Sequence, residues 1–146
     1  MMLLDTNVLS EFMRQAPDPR VVGWLDQQPR QHVWVCAISR AEIELGIALL
    51  DNGRKKHELA EKAGRVFQQN LAGRSLSFDD SAAVHYARII AARRRAGVPI
   101  SVEDAQIAAI AASNGLCVAT RNDADFRGIE GLAVINPWKA SEDNGG

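Results

Sequence analysis

Residues 1–7 read MMLLDTN, and the expected fold is organised around this stretch. Its four apolar residues show no polar alternation, which is typical of a strand covered on both faces. Asp5 follows where the strand ends. Because open parallel sheets build their sites at the carboxyl ends of strands, Asp5 stands where a reactive group would be placed. Thr6 and Asn7 can cap the next helix and orient the acid, and the alternative is that Asp5 or Thr6 is only a cap.

The composition is that of a globular chain of 146 residues, of which 47% are hydrophobic, without repeats or low-complexity tracts. No apolar run approaches the roughly 20 residues of a membrane helix. Asp5 also interrupts the N-terminal apolar run too early for a secretion signal. We therefore expect one cytoplasmic domain over residues 1–140, without membrane contact, and a disordered tail over residues 141–146.

Cysteine, histidine and charge exclude some classes of function. Cys36 and Cys117 lie in apolar runs without CxxC spacing, so we interpret them as small buried side chains in a reducing compartment. The histidines lack zinc-ligand spacing. A formal net charge of −1 does not indicate nucleic-acid binding. Basic residues cluster at 54–56 and 93–95; such runs are usually solvated helix faces, and a basic rim around an acidic site is the alternative.

Hydrophobic periodicity and capping residues divide the chain into strands and helices. We expect strands at residues 1–4, 33–38, 75–78, 116–120 and 132–135. We expect helices at residues 8–14, 19–28, 39–52, 54–71, 79–96 and 101–114. Because helices separate the strands, the predicted fold class is α/β, with a parallel sheet flanked by helices on both faces.

Acidic residues recur where strands end and where helices begin. They are Asp5, Glu42, Asp104, Asp123 and Asp125. In an open sheet, strand ends and the starts of adjacent helices share one crevice, so these acids can converge. The sequence contains no P-loop, no GxGxxG pattern and no GxSxG elbow, which argues against nucleotide-hydrolysing, dinucleotide-binding and serine-hydrolase sites.

Two of these acids have a capping alternative. Ser39 and Glu42 are three residues apart, as are Ser101 and Asp104, and this is the spacing of a capping box. Taken together, however, three or four carboxylates in one crevice repel each other unless a cation neutralises them. Mg²⁺ and Mn²⁺ take oxygen ligands, and such sites hydrolyse phosphodiesters through metal-activated water.

In their order and spacing, several segments resemble the PIN-domain ribonucleases, and within them the VapC and FitB-like toxins of toxin–antitoxin pairs. The segments are 3–10 (LLDTNVLS), 38–46 (ISRAEIELG), Asp104 with 107–109 (IAA), 120–122 (TRN) with 125–126 (DF), and 136–138 (NPW). They extend over nearly the whole chain. The resemblance implies a PIN-like three-layer α/β fold with a central parallel sheet.

The resemblance also assigns the acids. It implies that Asp5, Glu42 and Asp104 bind Mg²⁺ or Mn²⁺ and take part in catalysis. It implies supporting polar roles for Thr6, Asn7 and Thr120.

The fourth acid of the family stands at the position of either Asn122 or Asp125, and here the first is an amide. We expect Asp125 to be the fourth catalytic and metal-binding carboxylate, because burial of Phe126 should fix the orientation of the segment. Asn122 would then be a supporting donor or water ligand. Asp123 is the alternative candidate for the fourth acid.

The implied function is that of a metal-dependent endoribonuclease acting as a toxin, with RNA as substrate. The implied partners are a second copy of the chain and an antitoxin protein with a DNA-binding domain, whose C-terminal segment blocks the site. We expect some of Leu49, Leu50 and Leu59 to be exposed in the isolated chain and covered by that antitoxin.

Two alternatives remain. A metal-dependent phosphomonoesterase would usually carry a second acid two residues after Asp5, where Asn7 stands. A non-catalytic RNA-binding or scaffold domain would tolerate loss of the acids, whereas this chain keeps at least three of them at the matching positions.

Overall fold

The computed structural model describes residues 1–139 of the chain, and its centre is a five-stranded parallel sheet. The strands are β1 (Met2–Leu4), β2 (Val33–Cys36), β3 (Ser75–Leu76), β4 (Cys117–Ala119) and β5 (Val134–Ile135). Their order across the sheet is β3-β2-β1-β4-β5, and every neighbouring pair is parallel. Parallel neighbours require crossover connections, and helices supply them here.

Helices connect the strands and cover the sheet. They are α1 (Thr6–Phe12), α2 (Pro19–Asp26), α3 (Ala37–Ala48), α4 (Arg54–Arg65), α5 (Asp80–Ala96), α6 (Val102–Ser113) and α7 (Asp123–Phe126). A 3₁₀ turn at Arg30–His32 precedes β2, and a π-helical turn at Val66–Asn70 continues α4. The α/β class predicted from the sequence is confirmed.

The first strand lies in the middle of the sheet and is buried on both faces. Met2 pairs with Val33 on one side and with Cys117 on the other. Because side chains alternate along a strand, Met2 and Leu4 join one apolar core and Leu3 joins the other. This arrangement explains why the opening run contains no polar residue.

The two cores lie between the sheet and the helices that cover its two faces. One core packs α1 to α4 against the sheet through residues such as Val8, Val21 and Ile43. The other packs α5 and α6 against the opposite face. The run Ala105 to Ala111 of α6 is buried almost throughout, and its small alanines allow close approach to neighbouring elements.

The structure corrects the predicted start of α3. The helix begins at Ala37, with Cys36 as its cap, so Ser39 is its third residue and not its cap. The capping-box interpretation of Ser39 with Glu42 is therefore wrong. β-branched Ile38 suggested that the strand continued, but Ile38 instead packs in the first turn of α3 against the second core.

Other boundaries shift by a few residues. α1 begins at Thr6, two residues earlier than expected, and α2 ends at Asp26. α4 is regular only to Arg65, where the π-helical turn takes over from the expected continuous helix. Within the described residues, no helix is long and apolar enough to span a membrane. The predicted tail at 141–146 lies outside residues 1–139.

Candidate active site

A cavity of about 440 Å³ opens at the carboxyl end of β1, where α1, α3 and α6 begin. Its lining residues are Asp5, Thr6, Asn7, Ser10, Glu11, Arg14, Glu42, Asp104 and Asn122. We call this cavity the acidic pocket. It brings together three of the four acids expected from the sequence, whereas Thr120 and Asp125 are not among its lining residues.

Asp5 is both the cap of α1 and a lining residue of the acidic pocket. Its Oδ1 accepts the backbone N–H of Thr6 at 2.8 Å. Its Oδ2 accepts from Thr120 Oγ1 at 2.7 Å and from Asn7 Nδ2 at 3.2 Å. The capping alternative is thus correct for Asp5 but describes only one of its two carboxylate oxygens.

The pKa of Asp5 lies above its ordinary value. Burial is the largest cause, and the negative charge of Glu42 adds to it. Hydrogen bonds from Thr120, Thr6 and Asn7 oppose the shift without cancelling it. The fold therefore holds a buried carboxylate that a nearby positive charge would stabilise.

Glu42 projects from the second turn of α3 and is tied to the start of α1. Thr6 Oγ1 donates to Glu42 Oε1 at 2.9 Å. The same hydroxyl lies 3.1 Å from Ser39 Oγ, and Cys36 Sγ lies 3.7 Å from that oxygen. This chain of polar contacts fixes Glu42 relative to Asp5, and it explains why Ser39 is buried inside a helix.

Asp104 lies in the first turn of α6. Its backbone N–H is accepted by Ser101 Oγ at 3.1 Å, so the expected cap of this helix is confirmed. The pKa of its side chain is raised, first by partial burial, then by the negative charge of Asp5 and, less strongly, of Asp125. Asp5 and Asp104 thus repel each other across the acidic pocket.

The supporting polar residues join two strand ends. Thr120 is fully buried; besides donating to Asp5, its Oγ1 accepts the backbone N–H of Asn122 at 3.1 Å. Asn7 Oδ1 accepts the backbone N–H of Arg121 at 3.1 Å. Thr120 and Asn7 therefore hold the segment after β4 against the end of β1, and Asn122 reaches the acidic pocket.

The two candidates for the fourth acid differ in their surroundings. Asp123 is buried and its Oδ2 lies 2.6 Å from Arg127 and 3.9 Å from Lys139. Although burial opposes ionisation, a hydrogen bond from Asn136 and these two cations hold the pKa of Asp123 below its ordinary value. Asp125 is exposed and lies close enough to Asp104 to raise its pKa.

The expected burial of Phe126 is confirmed, since its side chain is fully enclosed in the second core. Asp125 is held nearby through its backbone, because Arg93 donates to its carbonyl oxygen at 3.0 Å. The side chain of Asp125 lies outside the acidic pocket, whereas Asn122, the other candidate position, lines it.

Sequence reasoning missed three lining residues of the acidic pocket. Ser10, Glu11 and Arg14 lie on α1 or just after it. Glu11 is only 4% exposed, which is unusual for a glutamate. The i,i+3 spacing of Glu11 and Arg14 was the available signal, but this spacing is common on solvated helix surfaces.

The donors of the acidic pocket fit a hard divalent cation. Its acids and amides offer oxygen ligands, and two of its carboxylates have raised pKa values. Among the described residues, no three His, Cys, Asp or Glu side chains are grouped so that together they could hold a metal ion. Mg²⁺ typically takes one or two carboxylates and completes its shell with water and substrate oxygens, which this arrangement permits.

Comparison with known proteins agrees with the motifs. The PIN-domain family model matches residues 2–132. The chain belongs to the PIN-domain family.

Its relatives include proteins named as a FitB toxin, a plasmid stability protein and a VapC ribonuclease. The chain is 44% identical to toxin FitB of Neisseria gonorrhoeae, over 94% of this chain and 99% of that protein. It is 42% identical to plasmid stability protein StbB of Pseudomonas syringae pv. tomato, over 96% and 100% of the two chains. It is 37% identical to VapC ribonuclease Y4jK of Sinorhizobium fredii, over 95% and 99%.

Solved structures share the fold. A chain in the structure of FitAB bound to the IR36 DNA fragment superposes with a TM-score of 0.87 at 43% identity, covering 94% of this chain and 96% of that one. FitAcB from Neisseria gonorrhoeae gives a TM-score of 0.84 at 45% identity, covering 94% and 99%. The PIN-like three-layer fold is therefore confirmed.

Proposed function

We propose that this chain is a Mg²⁺- or Mn²⁺-dependent endoribonuclease that acts as the toxin of a toxin–antitoxin pair. The names of its relatives support the proposal, since FitB is called a toxin and Y4jK a VapC ribonuclease. The structural observation that carries it is the convergence of Asp5, Glu42 and Asp104 on one pocket. Two of these acids have raised pKa values, so the pocket favours a positively charged occupant.

In this proposal the catalytic acids hold the cation and the polar network keeps them in place. Asp5, Glu42 and Asp104 line the pocket and would hold the cation directly or through its bound water, and Asp125, exposed near Asp104, would be the fourth carboxylate. Bound there, Mg²⁺ or Mn²⁺ supplies positive charge that polarises the phosphodiester and makes a water molecule more acidic.

The polar residues around the acids have positioning roles. Thr120 and Asn7 hold Asp5, and Thr6 holds Glu42. Asn122 contributes an amide at the pocket wall. Because a misplacement of about 1 Å can lower a rate about a hundredfold, this network would support catalysis by holding the acids in place.

The alternatives have less support. A phosphomonoesterase would usually carry a second acid at the position of Asn7, whose amide instead contacts Asp5 and Thr120. A scaffold domain has no use for a pocket in which the charge of Glu42 acts against Asp5 and the charge of Asp5 acts against Asp104.

We also propose a cytoplasmic homodimer that an antitoxin with a DNA-binding domain holds inactive. The FitAB structure contains DNA, which supports a DNA-binding partner. A groove of about 1190 Å³ adjoins the acidic pocket, and Leu50 and Leu59 lie in its wall. Leu49 is 76% exposed, as expected of a residue that a partner covers.

Turnover of two substrates tests the catalytic proposal. Single-stranded RNA and a small phosphate monoester are each incubated with the purified chain, with Mg²⁺ or Mn²⁺ and with a chelator. We expect RNA cleavage that the chelator stops, and no hydrolysis of the monoester. Monoester hydrolysis would favour the phosphatase, and RNA binding without cleavage would favour the scaffold.

A further inference from the structure

We propose that Arg14 binds a backbone phosphate of the RNA beside the acidic pocket and that buried Glu11 is the residue that positions it. This inference rests on the proposed ribonuclease function. Among the described residues that line the acidic pocket, Arg14 is the only basic one. A polyanion that enters a pocket of acids needs such a positive contact at its edge.

The guanidinium of Arg14 is held from one side only. Its Nη1 donates to both carboxylate oxygens of Glu11, at 3.0 and 3.2 Å. Within residues 1–139, its Nε and Nη2 donate no hydrogen bond to another group. The side chain of Arg14 is 61% exposed, so these donors are available to a ligand, and the planar fork of arginine suits phosphate oxygens.

Glu11 is anchored more firmly than a surface ion-pair partner. Its side chain is 5% exposed, and its Oε1 also accepts the backbone N–H of Asp18 at 2.9 Å. Glu11 thereby joins α1 to the start of α2. Lys62 of α4 donates to the carbonyl oxygen of Met13 at 3.2 Å, which fixes the end of α1 from the other side. Arg14 therefore projects from a well-anchored segment.

The position of Arg14 suits a strand that continues beyond the acids. Arg14, Thr6, Ser10 and Glu42 line both the acidic pocket and the adjoining groove. An extended RNA strand with one phosphodiester at the acids must place neighbouring phosphates outside the pocket. Arg14 lies at the boundary between the acidic pocket and the groove, where the first phosphate outside the pocket would be placed.

A purely structural role is the competing explanation, and it makes a different prediction. If Arg14 serves only to satisfy Glu11, its loss lowers the melting temperature and leaves the salt dependence of RNA recognition unchanged. If Arg14 contacts a phosphate, RNA binding releases one counterion fewer when Arg14 is lost. The slope of log KM against log salt then becomes smaller. The salt dependence of KM is therefore the discriminating measurement.

Cleavage of a random-sequence pool of short single-stranded RNAs is measured at several salt concentrations with fixed Mn²⁺, for the wild type, Arg14→Ala, Arg14→Lys and Arg65→Ala. Arg65 is the matched control, an exposed arginine that lines neither the acidic pocket nor the groove. For Arg14→Ala we expect KM to rise about tenfold and the slope of log KM against log salt to fall by about 0.7.

The other variants complete the test. Arg14→Lys keeps the positive charge but lacks the planar guanidinium. It should therefore show the wild-type slope of log KM against log salt, with a KM between those of the wild type and Arg14→Ala. Arg65→Ala should match the wild type. Equal KM and slope in Arg14→Ala and Arg65→Ala, with folding confirmed by melting, overturns the inference. A wild type that leaves RNA uncut overturns the proposed function, and the inference with it.

Discussion

At the scale of single residues, Glu42 shows how position and chemistry separate structural from functional roles. The alternative interpretation of Glu42, as part of a capping box, does not hold because Ser39 lies inside α3. Its carboxylate instead accepts a hydrogen bond from Thr6 and lines the acidic pocket. An exposed glutamate with one hydrogen bond contributes little to folding. We therefore expect Glu42 to serve the acidic pocket through its negative charge.

Glu42→Gln should therefore separate folding from activity. The amide oxygen can still accept from Thr6, so we expect the free energy of unfolding to change by less than about 0.5 kcal/mol. RNA cleavage should be lost almost completely, because an amide is a poor ligand for a hard cation.

Glu44→Gln is the control for that variant. Glu44 lies on the same helix, 3.8 Å from Arg40, and is not among the residues lining the acidic pocket. It should retain full activity. Equal activity of the two variants would remove Glu42 from the catalytic residues.

At the scale of elements, α7 and the segment after β4 place two neighbouring aspartates in opposite environments. Asp123 turns towards Arg127, Lys139 and Asn136, where its charge stabilises the fold. Asp125 remains exposed near Asp104. Sequence alone could not separate them, because a four-residue helix has no periodicity that indicates which face is buried.

Asp125→Asn and Asp123→Asn should consequently change different properties, the first the metal requirement of cleavage and the second the stability of the fold. The first should raise the Mn²⁺ concentration for half-maximal cleavage by at least about tenfold, as expected for a supporting ligand. The second should leave that concentration nearly unchanged and lower the melting temperature at neutral pH. A reversed order in the metal titration would make Asp123 the fourth acid, and no effect of either variant would leave Asn122 to complete the site.

The melting difference between wild type and Asp123→Asn also has a defined pH dependence. The pKa of Asp123 is lowered in the folded state, so its contribution to stability is present above the pKa of the unfolded chain and is lost as the pH falls through the folded pKa. We expect the two melting temperatures to differ at pH 7 and to converge in acid, once the pH has fallen below the lowered pKa of folded Asp123. A constant difference across this range would mean that the charge of Asp123 is not what stabilises α7.

At the scale of the whole molecule, the sequence predicts the order and type of the strands and helices better than the residues at which they begin and end. The unbroken apolar run of β1 and the alternation of strands with capped helices are enough for a parallel sheet, and for Asp5 at its carboxyl edge. The start of α3 was misplaced because Ile38 has a strand-forming side chain, although tertiary packing places it in a helix.

The positions of Asp5 and Asp104 at the acidic pocket were predictable, because one follows a strand end and the other lies in the first turn of a helix. Glu11 and Arg14 were not predictable, because nothing local tells which side chains of a short helix turn towards a pocket. Their roles depend on Asp18 and on α4, elements that only the folded chain brings near.

The central claim is that the converging acids form a divalent-cation centre, and a melting titration with Mn²⁺ tests it directly. Wild type and Asp5→Asn are compared without RNA, with Glu44→Gln as control. A cation that binds only the folded chain stabilises it by about 2.7 kcal/mol at a hundred times its Kd. We predict that Mn²⁺ raises the melting temperature of the wild type and the control, and that Asp5→Asn loses most of this rise. An equal rise in all three proteins would contradict the account, because the cation would then bind away from Asp5.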